Sequence, residues 1–298
     1  MKYKFKPCIL ISLGLMLLLT GCSAIVLNPK GIIGQKENEL IIDAILLMLI
    51  VVVPVIFMTF VFAWKYRASN KKAEYAPKWH HSNAIEAFVW GVPIMIILVL
   101  GTITWRTTHE LDPYKPLNVP GVEPINIQVI ALDWKWLFIY PEQNIASVNL
   151  VEFPVNVPVH FILTSGDTPM NAFHIPQLGT QIYAMAGMTT HLHLIADEGG
   201  DYFGRAVNIN GQGFSGMQFV ARASSMSDFK KWVEKVKQSS SALSVDTFKQ
   251  LSKPSEDNPV STYSSVAEHL FDNLVMSFMM PGMELDGSHA AAVTRTIK

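Results

Sequence analysis

The chain has 298 residues, with 23 Lys and Arg against 24 Asp and Glu, and its formal net charge of −1 gives no reason to expect a nucleic-acid partner. Half of the residues are hydrophobic and only 16% are charged, a balance that points to membrane-crossing segments. The two cysteines, Cys8 and Cys22, both lie near the start, which excludes thiolate ligands anywhere farther along the chain.

Lys2, Lys4 and Lys6 precede an apolar run over residues 9–19, and Leu19-Thr20-Gly21-Cys22 ends it. A basic start, a short apolar core and small residues at a cut site describe a secretory signal rather than a membrane span. The cysteine after the cut resembles a bacterial lipoprotein site. Residues 1–21 are therefore expected to be removed and Cys22 to be lipidated, leaving 22–39 as an exported N-terminal segment.

Residues 44–63 and 87–105 carry no charge, and each is roughly 30 Å long as a helix, enough to cross a bilayer. Pro54 and Pro93 lie inside these spans, where neighbouring groups satisfy the freed backbone. Lys65, Arg67, Lys71, Lys72 and Lys78 oppose only Glu74 in the loop of about 65–83, so this loop is expected in the cytoplasm. Both chain ends then lie outside, in agreement with a lipidated Cys22. The hairpin occupies 40–105 and a linker 106–124.

From residue 125 the pattern changes to short β-like segments at 125–129, 134–140, 159–164, 191–194, 202–209 and 217–221, broken by Gly, Pro and Asn. A compact antiparallel sandwich over 125–224 is expected. Helical character follows at 228–237, 245–251 and 266–279, within an extension spanning 225–280, and residues 281–298 read as a flexible tail.

The stretch Met170-Asn171-Ala172-Phe173-His174-Ile175-Pro176-Gln177-Leu178-Gly179, with Gly200-Asp201-Tyr202-Phe203-Gly204 and residues 208–217, resembles subunit II of the haem-copper respiratory oxidases. The resemblance covers nearly all of the mature chain. It implies a membrane protein with two transmembrane helices, an exported all-β cupredoxin-like sandwich and a helical, aromatic-rich C-terminal extension. In cytochrome c oxidases these loops hold a dinuclear copper centre built from two thiolates, two imidazoles, a thioether and a glutamate carbonyl, soft sulfur being what such copper requires.

Carried over position by position, the two histidines fall on Asn171 and Phe214, the cysteines on Ala206 and Asn210, and the glutamate on Asn208. Only the methionine survives, as Met217. His174 is three residues displaced from the ligand position. A mononuclear blue-copper site fails too, because it needs a thiolate. The resemblance thus implies a copper fold without a copper site, and no metal or other cofactor bound by this chain.

Oxidases whose subunit II lacks this centre are the quinol oxidases. Ile182-Tyr183-Ala184-Met185-Ala186-Gly187-Met188, Gly213-Phe214-Ser215-Gly216-Met217 and Asp133-Trp134-Lys135-Trp136 resemble the cytochrome bo-type ubiquinol oxidases of proteobacteria. Pro254-Ser255-Glu256 and Phe271 resemble the aromatic-rich extension of the same subunit. The implied role is subunit II of a proton-pumping complex that oxidises ubiquinol and reduces dioxygen to water. Two haems and a histidine-bound copper are expected in subunit I, with small membrane subunits III and IV, membrane lipid and no cytochrome c as partners. The implied location is the bacterial inner membrane, with the C-terminal domain in the periplasm. Alternatives are a menaquinol oxidase subunit, a non-enzymatic copper-binding membrane lipoprotein, and a cytochrome c oxidase subunit with a rebuilt copper site.

Glu86 opens the second span. An acid there suits the positive end of a helix dipole, and the resemblance adds a second reading, a place at the mouth of a proton channel of subunit I. Trp134 and Trp136 match the aromatic pair beside the copper centre, but without that acceptor they are expected to pack or to form an interface with subunit I. Met170, Met185, Met188 and Met217 read as core fillers rather than as a thioether site. His191 and His193 alternate with leucines and read as one solvated strand face. His289 and the nearby Met283 sit in the tail, which reads as too mobile to hold a metal tightly.

Overall fold

The computed structural model describes residues 25–74, 77–280, 283 and 285. The signal, Cys22 and most of the tail, with His289, lie outside the described residues. Helix α1 spans Ile32–Lys65 and α2 spans Asn83–Glu110, and both are long and apolar enough to cross a membrane. Each is longer than its uncharged run. The segment leading into α1 and the first turn of that helix dock on the domain that follows: Lys30 N–H donates to the Gln177 carbonyl at 2.7 Å, Gly34 N–H to that of Leu178 at 3.1 Å, and Asp197 N–H to that of Lys30 at 2.8 Å. Gly31 sits so close to the Ile195 carbonyl that a β-carbon has no room there.

Eleven strands follow among the described residues, forming two sheets. The first contains β1 (Ile125–Leu132), β2 (Lys135–Tyr140), β3 (Ile145–Val148), β5 (Val159–Ser165), β8 (Thr190–Leu194) and β11 (Ser261–Tyr263), in the order β11-β3-β2-β1-β5-β8. The second contains β4 (Leu150–Pro154), β6 (Asn171–His174), β7 (Ile182–Ala184), β9 (Gly200–Ala206) and β10 (Gln218–Ser224), in the order β4-β10-β9-β6-β7.

The sandwich is mixed rather than antiparallel throughout. β1 pairs parallel with β5, from Ile125 opposite Val159 to Ala131 opposite Ser165, and β10 pairs parallel with β4. Parallel neighbours need crossovers, and here the chain crosses between the two sheets.

Trp136, Phe138, Phe161, Phe173 and Phe219 fill the space between the sheets. Phe173 stacks on Phe219 at 4.9 Å and meets Trp136 edge-on at 5.2 Å, arrangements that suit aromatic quadrupoles. A second cluster lies on the outer face of the first sheet, where Ile130, Leu132, Leu137 and Ile139 meet Leu243, Phe248, Leu270, Phe271 and Leu274 of the extension. β2 is therefore buried on both faces, which is why its residues after Lys135, from Trp136 to Tyr140, read as a continuous apolar run rather than an alternation.

The extension comprises α3 (Met226–Lys237), α4 (Val245–Leu251) and α5 (Leu270–Met279). Ser225 and Ser244 cap the first two, their hydroxyls accepting from Asp228 N–H at 3.1 Å and Thr247 N–H at 3.2 Å. Two expectations change here. The extension is not wholly helical, since β11 adds a strand to the first sheet, and the last helix begins at Leu270 rather than at residue 266.

Candidate functional site

Asn171 opens β6, Ala206 ends β9, and Asn208, Asn210, Phe214 and Met217 lie on the loop from β9 to β10, so the fold brings all six degenerate ligand positions to one end of the second sheet. Asn171 is fully buried, and Met217 belongs to the core between the sheets. The Asn210 amide donates to Asn171 Oδ1 and, at 3.0 Å, to the Met217 sulfur. Asn208 accepts from Ala172 N–H at 2.5 Å and donates to the Met170 carbonyl at 2.5 Å. Asn171 Nδ2 donates to Thr168 Oγ1 at 2.8 Å and to the Pro169 carbonyl at 2.6 Å.

Backbone bonds close the same loop. Ala206 N–H donates to the Met217 carbonyl at 3.1 Å, and Val207 N–H to the Ala172 carbonyl at 3.2 Å. Where the resemblance puts metal bonds, side-chain amides join the two loops. The donor set of three amides, a thioether, a phenyl and a methyl offers no thiolate and no imidazole, so it does not fit a dinuclear copper centre. Among the described residues no group of three or more His, Cys, Asp or Glu is placed to hold a metal ion. Beside the network, Arg205, Ala206, Val207, Phe214, Ser215, Met217 and Gln218 line an open cavity of 380 Å³. His174 lies at the end of β6, half-buried, and burial together with the Arg205 charge holds its imidazole below the usual range.

Trp134 is not in a strand, as expected from the sequence, but in the β1–β2 turn at φ 58°. Its indole covers the degenerate loop so closely that a β-carbon on Gly213 falls 2.5 Å from Cδ2. Trp136 is fully buried among Phe173 and Phe219. Both tryptophans pack, as the sequence suggested. Lys135, between them, is also buried. Its ammonium donates to the Lys253 carbonyl at 2.9 Å, to Ser255 Oγ at 2.7 Å and to the Asp133 carbonyl at 3.2 Å, and burial pushes it below the usual lysine range. This lysine is a fastening that sequence reasoning missed. It ties the extension to the turn that covers the loop.

The other potential sites lie apart. Glu86 sits in the first turn of α2, exposed, with its carboxylate 2.6 Å from His81 Nδ1. Met170 and Met188 are exposed, whereas Met217 is buried. His191 and His193 are not simply solvated. Both are half-buried beside His160 of β5, which stacks on His193 at 4.3 Å and lies 2.9 Å, Nε2 to Nδ1, from His191. His193 Nδ1–H donates to the Pro113 carbonyl of the linker at 3.1 Å. His160 sits 31 residues before His191, and only the pairing of β5 with β8 joins them.

Residues 142–224 match the family described as cytochrome c oxidase subunit II, periplasmic domain, and residues 237–282 match the COX aromatic rich motif. A cytochrome bo(3) ubiquinol oxidase subunit 2 of Pseudomonas aeruginosa is 55% identical over 279 residues, covering 94% of this chain and 84% of that protein. A ubiquinol oxidase subunit 2 of Acetobacter aceti is 52% identical, covering 91% and 88%. A quinol oxidase subunit 2 of Bacillus anthracis is 36% identical, covering 84% and 86%. With this identity along nearly its whole length, the chain belongs to the ubiquinol oxidase subunit 2 family of the haem-copper oxidases.

Proposed function

We propose that this chain is the redox-silent subunit II of a proton-pumping complex that oxidises ubiquinol and reduces dioxygen to water. Membership of the family makes it a subunit of a quinol oxidase complex in the bacterial inner membrane. The finer reading rests on one observation: the four thiolate and imidazole positions hold Ala206, Asn210, Asn171 and Phe214, and amide hydrogen bonds join the loops that a metal would otherwise join. A domain with no electron acceptor of its own suits a donor that reacts within the membrane. Haems and a copper are assigned to subunit I, and small membrane subunits complete the assembly. The chain then serves as scaffold and outer cover.

The test is the copper-to-haem ratio of material purified in detergent through a tag on this chain. One copper for each pair of haems is expected. A higher ratio would overturn redox silence, and copper without haem would favour a copper-carrying lipoprotein. The ubiquinol assignment is supported by the identities of 55% and 52% to ubiquinol oxidase subunits, against 36% to the Bacillus subunit.

Two residue roles belong to the same proposal. Glu86 is assigned to proton entry, and Glu86→Gln is expected to slow proton-coupled turnover in reconstituted vesicles; unchanged turnover and pumping would dismiss the role. Cys22 is assigned to lipidation. Cys22→Ala is expected to lose the lipid while α1 and α2 keep the protein in the membrane, and a variant released into the soluble fraction would contradict the topology.

A further inference from the structure

A cleft of 350 Å³ between the two apolar helices is lined by charges of both signs: Lys36, Glu39 and Asp43 on α1, Arg106 and Glu110 on α2. Spacings of three, four and seven positions put each set on one helix face. Leu40 and Ile103 join them from the same faces. Lys36 pairs with Glu110, but among the described residues Arg106, Glu39 and Asp43 form no ion pair. One cation and two carboxylates therefore share a cleft without meeting.

The charge pattern of the chain sets the depth of this cleft. Asp43 directly precedes the uncharged run 44–63, and Arg106 directly follows the uncharged run 87–105. Both stand where hydrocarbon gives way to headgroups, at the end of the hairpin that docks on the β-sandwich. From Asp43 to Lys36 the helix rises about 10 Å, enough to pass through a headgroup layer. In a bilayer these side chains meet lipid rather than bulk water, and a charge there is costly until it is paired.

We propose that the cleft binds the headgroup of an amine-bearing phospholipid of that leaflet, with Arg106 on the phosphate and Glu39 and Asp43 on the primary ammonium. A guanidinium fork matches phosphate oxygens. A primary ammonium has three N–H donors, and ionised carboxylates only accept. An anionic headgroup without an amine would set its charge against both carboxylates. A quaternary ammonium has no N–H to give and is held by aromatic faces, whereas no aromatic residue lines the cleft. The site rests on the two spans and not on the redox role of the complex, so its failure would leave the quinol oxidase assignment standing.

The full chain in a mild detergent is titrated with phosphatidylethanolamine, phosphatidylglycerol or phosphatidylcholine of identical acyl chains, and bound lipid is counted by native mass spectrometry. The ethanolamine lipid is expected to bind roughly tenfold more tightly than either of the others. Equal binding of all three would overturn the site. Arg106→Gln is expected to abolish the preference, whereas Lys72→Gln, in the loop at the far end of the hairpin, is expected to keep it. Glu39→Gln combined with Asp43→Asn is expected to turn the preference toward phosphatidylglycerol, a change that misfolding cannot produce. An unchanged preference in either cleft variant would overturn the assignment of these groups. Water-soluble glycerophosphoethanolamine at the same concentration is expected not to compete, and full competition would overturn the lipid as the ligand. The titration is then repeated on the haem-containing complex. A retained preference supports the lipid in the assembled oxidase, and its loss there would show that a partner subunit covers the cleft instead.

Discussion

His160 gives this domain an acid sensitivity that is set by geometry. Its Nδ1–H donates to Asn126 Oδ1 at 3.0 Å, and the Asn126 amide is itself held by Glu142 at 2.9 Å. His160 Nε2 is then left to accept from His191 Nδ1–H at 2.9 Å, while His193 covers the ring with an interplanar angle of 4°. Tyr114 of the linker meets His191 edge-on at 5.5 Å. A second proton on His160 faces another N–H instead of an acceptor, so the chain of hydrogen bonds breaks.

Burial first, then the His193 and His191 rings, push His160 from 6.5 down to about 4. The unfolded chain therefore binds the proton more tightly than the folded one. Folding stability is complete above pH 6.5, falls as pH drops toward about 4, and levels off below that. The gap sets a ceiling of about 3 kcal/mol at ~1.4 kcal/mol per pH unit. Solvent reaches the half-buried cluster, which reduces the expected loss to about 1–2 kcal/mol.

The assay is urea unfolding of the full chain in detergent, followed by tryptophan fluorescence at pH about 7.5 and about 4.5, for the parent and for His160→Gln. The variant keeps a side-chain amide for Asn126 and His191 but cannot titrate. It is expected to lose about 1–2 kcal/mol less than the parent on acidification. Parallel losses in parent and variant would refute the reasoning, since carboxylates elsewhere contribute equally to both.

Three further outcomes follow from the packing around the degenerate loop. Gly213→Ala is expected to cost about 1–3 kcal/mol in the same urea titration, because the new methyl displaces the Trp134 indole, and a shift in tryptophan emission should accompany it. Lys135→Met leaves the Lys253 carbonyl and Ser255 Oγ without their charged donor and is expected to cost about 2–4 kcal/mol, with faster hydrogen exchange in residues 253–258 as its signature. Asn210→Ala removes the bonds to Asn171 and the Met217 sulfur and is expected to cost about 1–2 kcal/mol, with hydrogen exchange rising in 206–217 and not in β5.

The two spans were legible as uncharged runs because a bilayer core tolerates few ionic groups. Helix α4 was legible to the residue, Val245–Leu251, since Ser244 caps it and its apolar face has a helical period. β3 and β4 were not. Ile145–Val148 and Leu150–Pro154 are short, buried along their whole length and joined by Asn149 at φ 56°, so neither shows the alternation of a half-exposed strand. The parallel pairings were equally hidden, because register between distant strands leaves no local mark. The site divides in the same way. The six ligand positions came together from family resemblance, whereas Lys135 and His160 depend on partners 118 and 31 residues away. Polar residues at alternate positions of β1, β5 and β8 were the one local hint of the histidine cluster.

A metal centre closes two loops of a cupredoxin sandwich, and losing it should leave those loops loose. Here closure is distributed. Asn171, Asn208 and Asn210 join the loops directly, Trp134 covers Gly211 and Gly213 from the β1–β2 turn, and Lys135 fastens that turn to the C-terminal extension. The extension reaches the loop itself as well, for Asp257 packs against Gly216, and Asn149 holds both the Trp136 N–H and the Asn258 carbonyl at 2.9 Å. Each amide bond contributes about 1 kcal/mol, far less than a metal bond, so several are needed and no single one is decisive. The extension and the amide-closed loop therefore belong to one arrangement: the segment from 253 to 258 reaches both the β1–β2 turn and the loop from β9 to β10.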